Sequence, residues 1–225
     1  MNYLNTLLFG YYPYVAMSVF LVGSLVRFEK GQYTWRTGSS QLLRSGELRL
    51  GSNLFHVGIL LLFVGHVIGL LTPPGVYHAM GLSTSAKQVL AVAAGGVFGG
   101  ICAWGLYILI KRRFTDPRIR ATSSRMDLFI LLLIAVQLAL GLLTLPISLL
   151  HLDGANMLVL AEWAQRIVTF RGGAADVIAD VGFVFKLHLL LGITLFLVFP
   201  FSRLVHIWSA PVGYAARPYQ IVRQR

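Results

Sequence analysis

The stretch Leu54–Thr72, LFHVGILLLFVGHVIGLLT, has no Asp, Glu, Lys or Arg but contains two histidines, His56 and His66. A helix needs roughly 20 predominantly apolar residues to cross a hydrocarbon core, so this stretch reads as a membrane span. An ionisable side chain is costly to hold at that depth and is a functional feature by default. The fold therefore turns on what these two imidazoles face.

Four further stretches have the same character: about Leu7–Val26, Val89–Ile110, Leu128–Ile147, and Gly182 to about Trp208. With 56% hydrophobic and 12% charged residues and a mean hydropathy of +0.73, a soluble domain is excluded. The joins are too short for a separate folded unit, so residues 1–225 are expected to form one all-α membrane domain of five helices. No basic residue precedes the first apolar run and no small-residue cleavage site follows it, so that span is expected to be retained. In the loop before the last span, Glu162, Gln165, Arg166 and Thr169 recur at helical spacing. Met157–Phe170 thus reads as a helix lying in the membrane interface, stopped by Gly172 and Gly173.

The net charge of +11 is a topology signal. Arg27–Asn53, Lys111–Asp127 and the C-terminal segment carry 15 of the 19 Lys and Arg residues, and the other two joins with the start of span 5 carry Lys87, Arg166, Arg171 and Lys186. By the positive-inside rule the N-terminus is outside and the C-terminus cytoplasmic. The basic excess then needs no nucleic acid to explain it. Arg112 and Arg113 are candidates to meet carboxylates, of a cofactor or of a partner protein. Trp35 and Trp208 belong at the cytoplasmic edge, as belt residues or partner contacts.

A single cysteine, Cys102, rules out an internal disulfide, a CxxCH haem attachment and a cysteine-ligated cluster within the chain, so a metal here must take histidine or oxygen ligands. Spans 2 and 5 run in opposite directions, which puts His56 at the depth of His206 and His66 at the depth of His188. Two neutral imidazoles facing each other from antiparallel helices can ligate a haem iron on both faces, and two such pairs would stack two haems across the membrane. His78 and His151 fall in loops. The main competing reading is a haem-free histidine pathway for protons or solutes, although the spans lack the mid-membrane Asp or Glu that a pathway usually recruits.

The helical rise is uneven. His56 and His66 are ten residues apart and His188 and His206 eighteen, rises of about 15 Å and about 27 Å on straight helices. Tilt of the helices or macrocycles, or distortion near Pro200, must absorb the difference. Gly58, Gly65 and Gly69 project within about 40° of one another and clear a face of span 2 for a macrocycle or a close helix. Gly95, Gly96, Gly99 and Gly100 give span 3 the small-residue spacing of a packed membrane helix.

The segments GQYTWR at 31–36, SNLFH at 52–56 followed by Gly65-His66, KRR at 111–113 and FPFSRLVHIW at 199–208 together resemble the gamma subunit of membrane-bound respiratory nitrate reductases. The resemblance runs over essentially the whole chain. It implies a five-span quinol-oxidising cytochrome of the bacterial inner membrane with two b-type haems. It also implies two partners, an iron–sulfur subunit (beta) and a molybdenum subunit (alpha) that reduces nitrate. Carried over by position, His66 and His188 hold the outer haem iron and His56 and His206 the inner one. Gly65, His66 and Lys87 fall at the quinol site, with menaquinol and ubiquinol both open. Read from the residues alone, Lys87 is either a donor to a quinone oxygen or a lysine snorkelling to the interface. Another reductase's haem b anchor would share the ligands and differ in its docking surface.

Overall fold

The structure, a computed structural model, describes residues 3–35, 43, 45–209 and 216–217. Arg36, Arg44, Arg223 and Arg225, counted above on the basic side, lie outside the described residues. Five helical segments are long and apolar enough to cross a membrane: α1 (Tyr3–Lys30), α2 (Ser45–Leu71), α3 (Thr84–Thr115), α4 (Arg125–Leu149) and the segment Phe183–Phe201, whose α-helical part is α6 (Phe183–Val198). Between α4 and α6 lies α5 (Ala155–Val168). Every regular element among the described residues is helical, as hydrocarbon requires of a spanning chain that must satisfy its own backbone. Large apolar side chains such as Leu21, Leu60, Ile68 and Val97 point outward along the bundle.

Helix starts follow local chemistry. The Ser83 hydroxyl accepts from Ala86 N at 3.1 Å, and at α4 Ser124 and Asp127 bond each other's backbone N–H in a capping box. Asp116 opens the short turn between α3 and α4 by accepting from Arg118 N at 2.9 Å. In α1, Pro13 has no N–H to give the Phe9 carbonyl four residues back, and Trp163 of α5 donates to that carbonyl at 3.0 Å.

Glycines fix the closest packing. An added Cβ at Gly58 would lie 2.6 Å from Cys102 N, and one at Gly51 would lie 2.9 Å from Ile108 Cγ2. At Gly58 backbone thus meets backbone between α2 and antiparallel α3. The face of α2 that the sequence reads as one groove is divided: Gly58 is filled by α3, whereas Gly65 and Gly69 open onto space. The glycine run of α3 packs on α4 as expected from its spacing, through Gly95 against Leu145 and Gly99 against Leu142, while Gly100 faces open space.

The interfacial helix is confirmed as a helix with its bounds moved to Ala155–Val168. It ends at Val168, before the glycines; Phe170 just beyond has a φ of 57°, and Arg171 N closes back on Arg166 O at 2.8 Å. Gln165 Nε2 donates to Leu70 O at 3.0 Å, tying α5 to the end of α2. The helix therefore caps the bundle end remote from Arg27 and Arg113.

Span 5 departs from the straight helix to Trp208 that hydropathy suggests. The α-helix stops at Val198 because Pro200 cannot continue it. A 3₁₀ turn, Phe199–Phe201, leads to extended Ser202 (φ −117°, ψ 178°), and a second 3₁₀ segment, Arg203–Ser209, carries His206.

Candidate functional site

The depth pairing holds in the structure. His66 of α2 and His188 of α6 stand with ring centres 6.1 Å apart, and His56 of α2 and His206 of the second 3₁₀ segment 6.2 Å apart. The mismatch in rise is absorbed by the break at Pro200–Ser202, which turns the chain so that His206 returns to the depth of His56.

Each of the four rings is fixed through the same atom. Nδ1 of His56 lies 2.7 Å from Ser52 O, that of His66 2.7 Å from Leu62 O, that of His188 3.2 Å from Gln137 O, and that of His206 2.7 Å from Arg203 O. A carbonyl only accepts, so Nδ1 carries the proton and Nε2 the free lone pair. That is the tautomer of a metal-ligating imidazole whose orientation is set by its other nitrogen. His151 makes the same kind of bond, to Ile147 O at 3.0 Å, and His78 meets Thr84 Oγ1 at 3.1 Å. Neither stands ring to ring with another histidine among the described residues.

The spacing suits a metal between the rings. Metal–nitrogen bonds of about 2 Å, with each nitrogen about 1 Å from its ring centre given ring bonds of about 1.3 Å, place two in-line imidazole centres about 6 Å apart. No cluster of three or more His, Cys, Asp or Glu exists among the described residues, so each pair offers two protein ligands. A zinc site would be short of donors. A haem iron takes four nitrogens from its porphyrin and needs two more, and these residues fit it.

One shelf of the His66/His188 pair was not legible in the sequence. Besides the Gln137 carbonyl, α4 supplies Gly141, where an added Cβ would sit 3.0 Å from His188 Cε1. Gly192 of α6 leaves room for Gln137 Nε2, 3.2 Å from where its own Cβ would be. Both features join residues far apart in sequence, on helices without the facing histidine. The Gln137–Gly141 spacing of one helical turn was the available signal.

The Lys87 side chain is turned into the bundle. It is 8% exposed, its Nζ donates to Gly69 O at 3.0 Å, and it lies 4.1 Å over the Tyr77 ring. Gly65, one turn before Gly69 and adjacent to His66, has nothing within 4 Å of an added Cβ. Lys87 of α3 thus meets α2 at Gly69, one turn beyond Gly65 and His66.

The opposite end is rich in arginine. Arg112 is buried, Arg113 Nη1 donates to Ser123 Oγ at 2.9 Å, and Arg203 pairs with Asp127 at 3.7 Å. The two tryptophans expected at this edge are tied within the chain, Trp35 Nε1 to Ser209 Oγ at 2.6 Å and Trp208 Nε1 to Ser24 Oγ at 3.3 Å.

The family described as nitrate reductase gamma subunit matches residues 5–225. The chain is 53% identical over 225 residues to the respiratory nitrate reductase 1 gamma chain of Escherichia coli (strain K12), covering 100% of both. It is 36% identical over 222 residues to the nitrate reductase gamma chain of Bacillus subtilis (strain 168), covering 97% of this chain and 98% of that one. With a nitrate reductase-like protein of Mycobacterium tuberculosis it shares 38% identity over 215 residues, 95% of this chain but 33% of that protein. A five-helix membrane chain with two facing histidine pairs, matched end to end by these gamma chains, belongs to the nitrate reductase gamma subunit family.

Proposed function

We propose that this chain is the quinol-oxidising, dihaem cytochrome b subunit of a respiratory nitrate reductase in a bacterial inner membrane. The observation that carries the reading is the pair of facing imidazole couples, 6.1 and 6.2 Å between ring centres, at two depths of one bundle. The excess of Lys and Arg at the end holding Arg27, Arg112 and Arg113 makes that end cytoplasmic and the N-terminus periplasmic. His66/His188 is then the outer couple and His56/His206 the inner.

Haem b, when bound, supplies reversible one-electron transfer, so that a two-electron quinol at the outer side can be linked to an acceptor inside. The chain's own residues do the rest. Four imidazoles would hold the irons through Nε2, and four carbonyls hold the imidazoles. Lys87 holds an ammonium at Gly69, one turn beyond Gly65 and His66 on α2, from where it would donate to a quinol oxygen. Oxidising quinol to quinone there frees two protons on the periplasmic side. The arginine-rich end faces the iron–sulfur beta subunit, which leads to the molybdenum-containing alpha subunit where nitrate is reduced.

A reduced-minus-oxidised spectrum with haem quantification on the purified subunit complex tests this reading. Two b-type haems per gamma chain are expected, and one or none overturns it. The quinol site has its own test. A charge-assisted hydrogen bond contributes about 1.5–3 kcal/mol, so Lys87→Ala is expected to slow quinol-dependent haem reduction at least about tenfold with both haems bound. Unchanged quinol kinetics would remove Lys87 from the site.

A further inference from the structure

Of the four imidazoles, three stand on α-helices: His56 and His66 on α2 and His188 on α6. His206 alone stands beyond a helix break, on a 3₁₀ segment preceded by extended backbone. The α6 helix does not fix its position, so other contacts must.

Those contacts come from α1. Arg27 Nη1 donates to Pro200 O at 2.6 Å and to Ser202 O at 2.8 Å, the two carbonyls that flank the break. The same guanidinium reaches the turn after α1 through Nη2 to Thr34 O at 2.8 Å and Nε to Thr34 Oγ1 at 3.3 Å. Thr34 is itself pinned, its hydroxyl donating to Gly31 O at 2.7 Å. On the far side of His206, Trp208 stacks on Phe20 with ring centres 5.3 Å apart, and Trp35 holds Ser209. Gly23 lets α1 approach this closely, since an added Cβ would lie 2.9 Å from Pro200 Cγ.

Resting on the functional reading above, we propose that Arg27 is a positioning residue for His206, clipping the broken end of span 5 to α1 and to the Gly31–Trp35 turn so that the imidazole meets the inner haem iron. The clip gives a common purpose to the GQYTW and FPFSRLVHIW segments, which lie about 170 residues apart and meet through Arg27 and Trp35. A planar guanidinium suits the task because its N–H groups form a rigid fork that serves several acceptors at once.

The test uses the assembled enzyme in membranes, with optical difference spectra, redox titration and the low-spin ferric electron paramagnetic resonance signals resolving the two haems. In Arg27→Gln the outer haem is expected at full occupancy, with the inner haem lost or displaced in both midpoint and resonance signature. A role confined to folding would instead lower both haems together. Trp35→Phe, which keeps the ring and deletes the bond to Ser209, is expected to displace the inner haem in the same direction by less. Inner-haem signatures unchanged in Arg27→Gln overturn the proposal. If Arg27→Gln loses both haems, Trp35→Phe decides: a displaced inner haem supports the clip and an unchanged one overturns it. A wild-type enzyme with fewer than two haems overturns the functional reading itself, and the proposal with it, on the wild-type measurement alone.

Discussion

Replacing either His66 or His188 by alanine is expected to remove one and the same haem, lowering content from two to about one per chain. Replacing His56 or His206 is expected to remove the other. The rings of each couple stand about as far apart as two in-line metal–nitrogen bonds require, and among the described residues neither couple belongs to a larger cluster of His, Cys, Asp or Glu. Deleting one would therefore leave a bound iron with a single imidazole from the couple and, among the described residues, no further His, Cys, Asp or Glu grouped with it. Quinol-dependent nitrate reduction should fall to near background in all four variants. They separate by which step fails: without the outer haem, quinol reduces neither centre, and without the inner haem, quinol still reduces the outer one. His78→Ala and His151→Ala should keep both haems, since neither ring faces another histidine. Haem-resolved spectra decide it. Loss of the same spectral component in His56→Ala and His188→Ala would sink the scheme, because no contact joins those two residues across the bundle.

The couples were legible from sequence because hydropathy fixes how many times the chain crosses, and crossing number fixes which histidines share a depth. The uneven rise between the two histidine pairs, about 27 Å against about 15 Å on straight helices, points to a break at Pro200. What hydropathy could not convey is that apolar residues continue past the proline while the helix does not. Phe199–Trp208 is apolar enough to extend the span, yet its backbone is 3₁₀ and extended. The three glycines on one face of α2 were likewise visible, but not that α3 fills the face at Gly58 and leaves Gly65 and Gly69 open. Contacts made from a third helix are not announced by hydropathy. Gln137 and Gly141 behind His188, and Arg27 behind His206, read in the sequence only as a polar residue, a small residue and a topogenic charge.

The second large effect is expected at Gly105, a position remote from every imidazole of the two couples in sequence. A Cβ there would overlap Phe55 N, lie 2.8 Å from Gly51 O and 2.9 Å from Leu54 C, all of them backbone atoms of α2. A side chain that meets a flexible neighbour is relieved by a rotamer change, but backbone held in a helix can give way only by moving the helix. Gly105→Leu must therefore push α2 off α3 along the seam that Gly51, Gly58 and Cys102 also line. In a bilayer, lipid is as apolar as the helices, so close packing is the principal attraction between them, and separation forfeits it. Overpacking in a well-filled interior costs about 1–3 kcal/mol, and a seam that opens along several turns should exceed that range. The displaced helix is the one that carries His56 and His66, and Phe55 is the neighbour of His56. Gly105→Leu is accordingly expected to cut both haem content and membrane yield by tenfold or more, in contrast to the ligand variants, which lose one haem each. Gly100→Leu is the control on the same helix: an added Cβ there meets nothing within 4 Å, and the variant should retain wild-type haem content. Measuring haem per chain and thermal inactivation of the two variants side by side separates the packing explanation from a general intolerance of leucine in α3. Equal haem content in both would show that α2 and α3 do not depend on contact at Gly105.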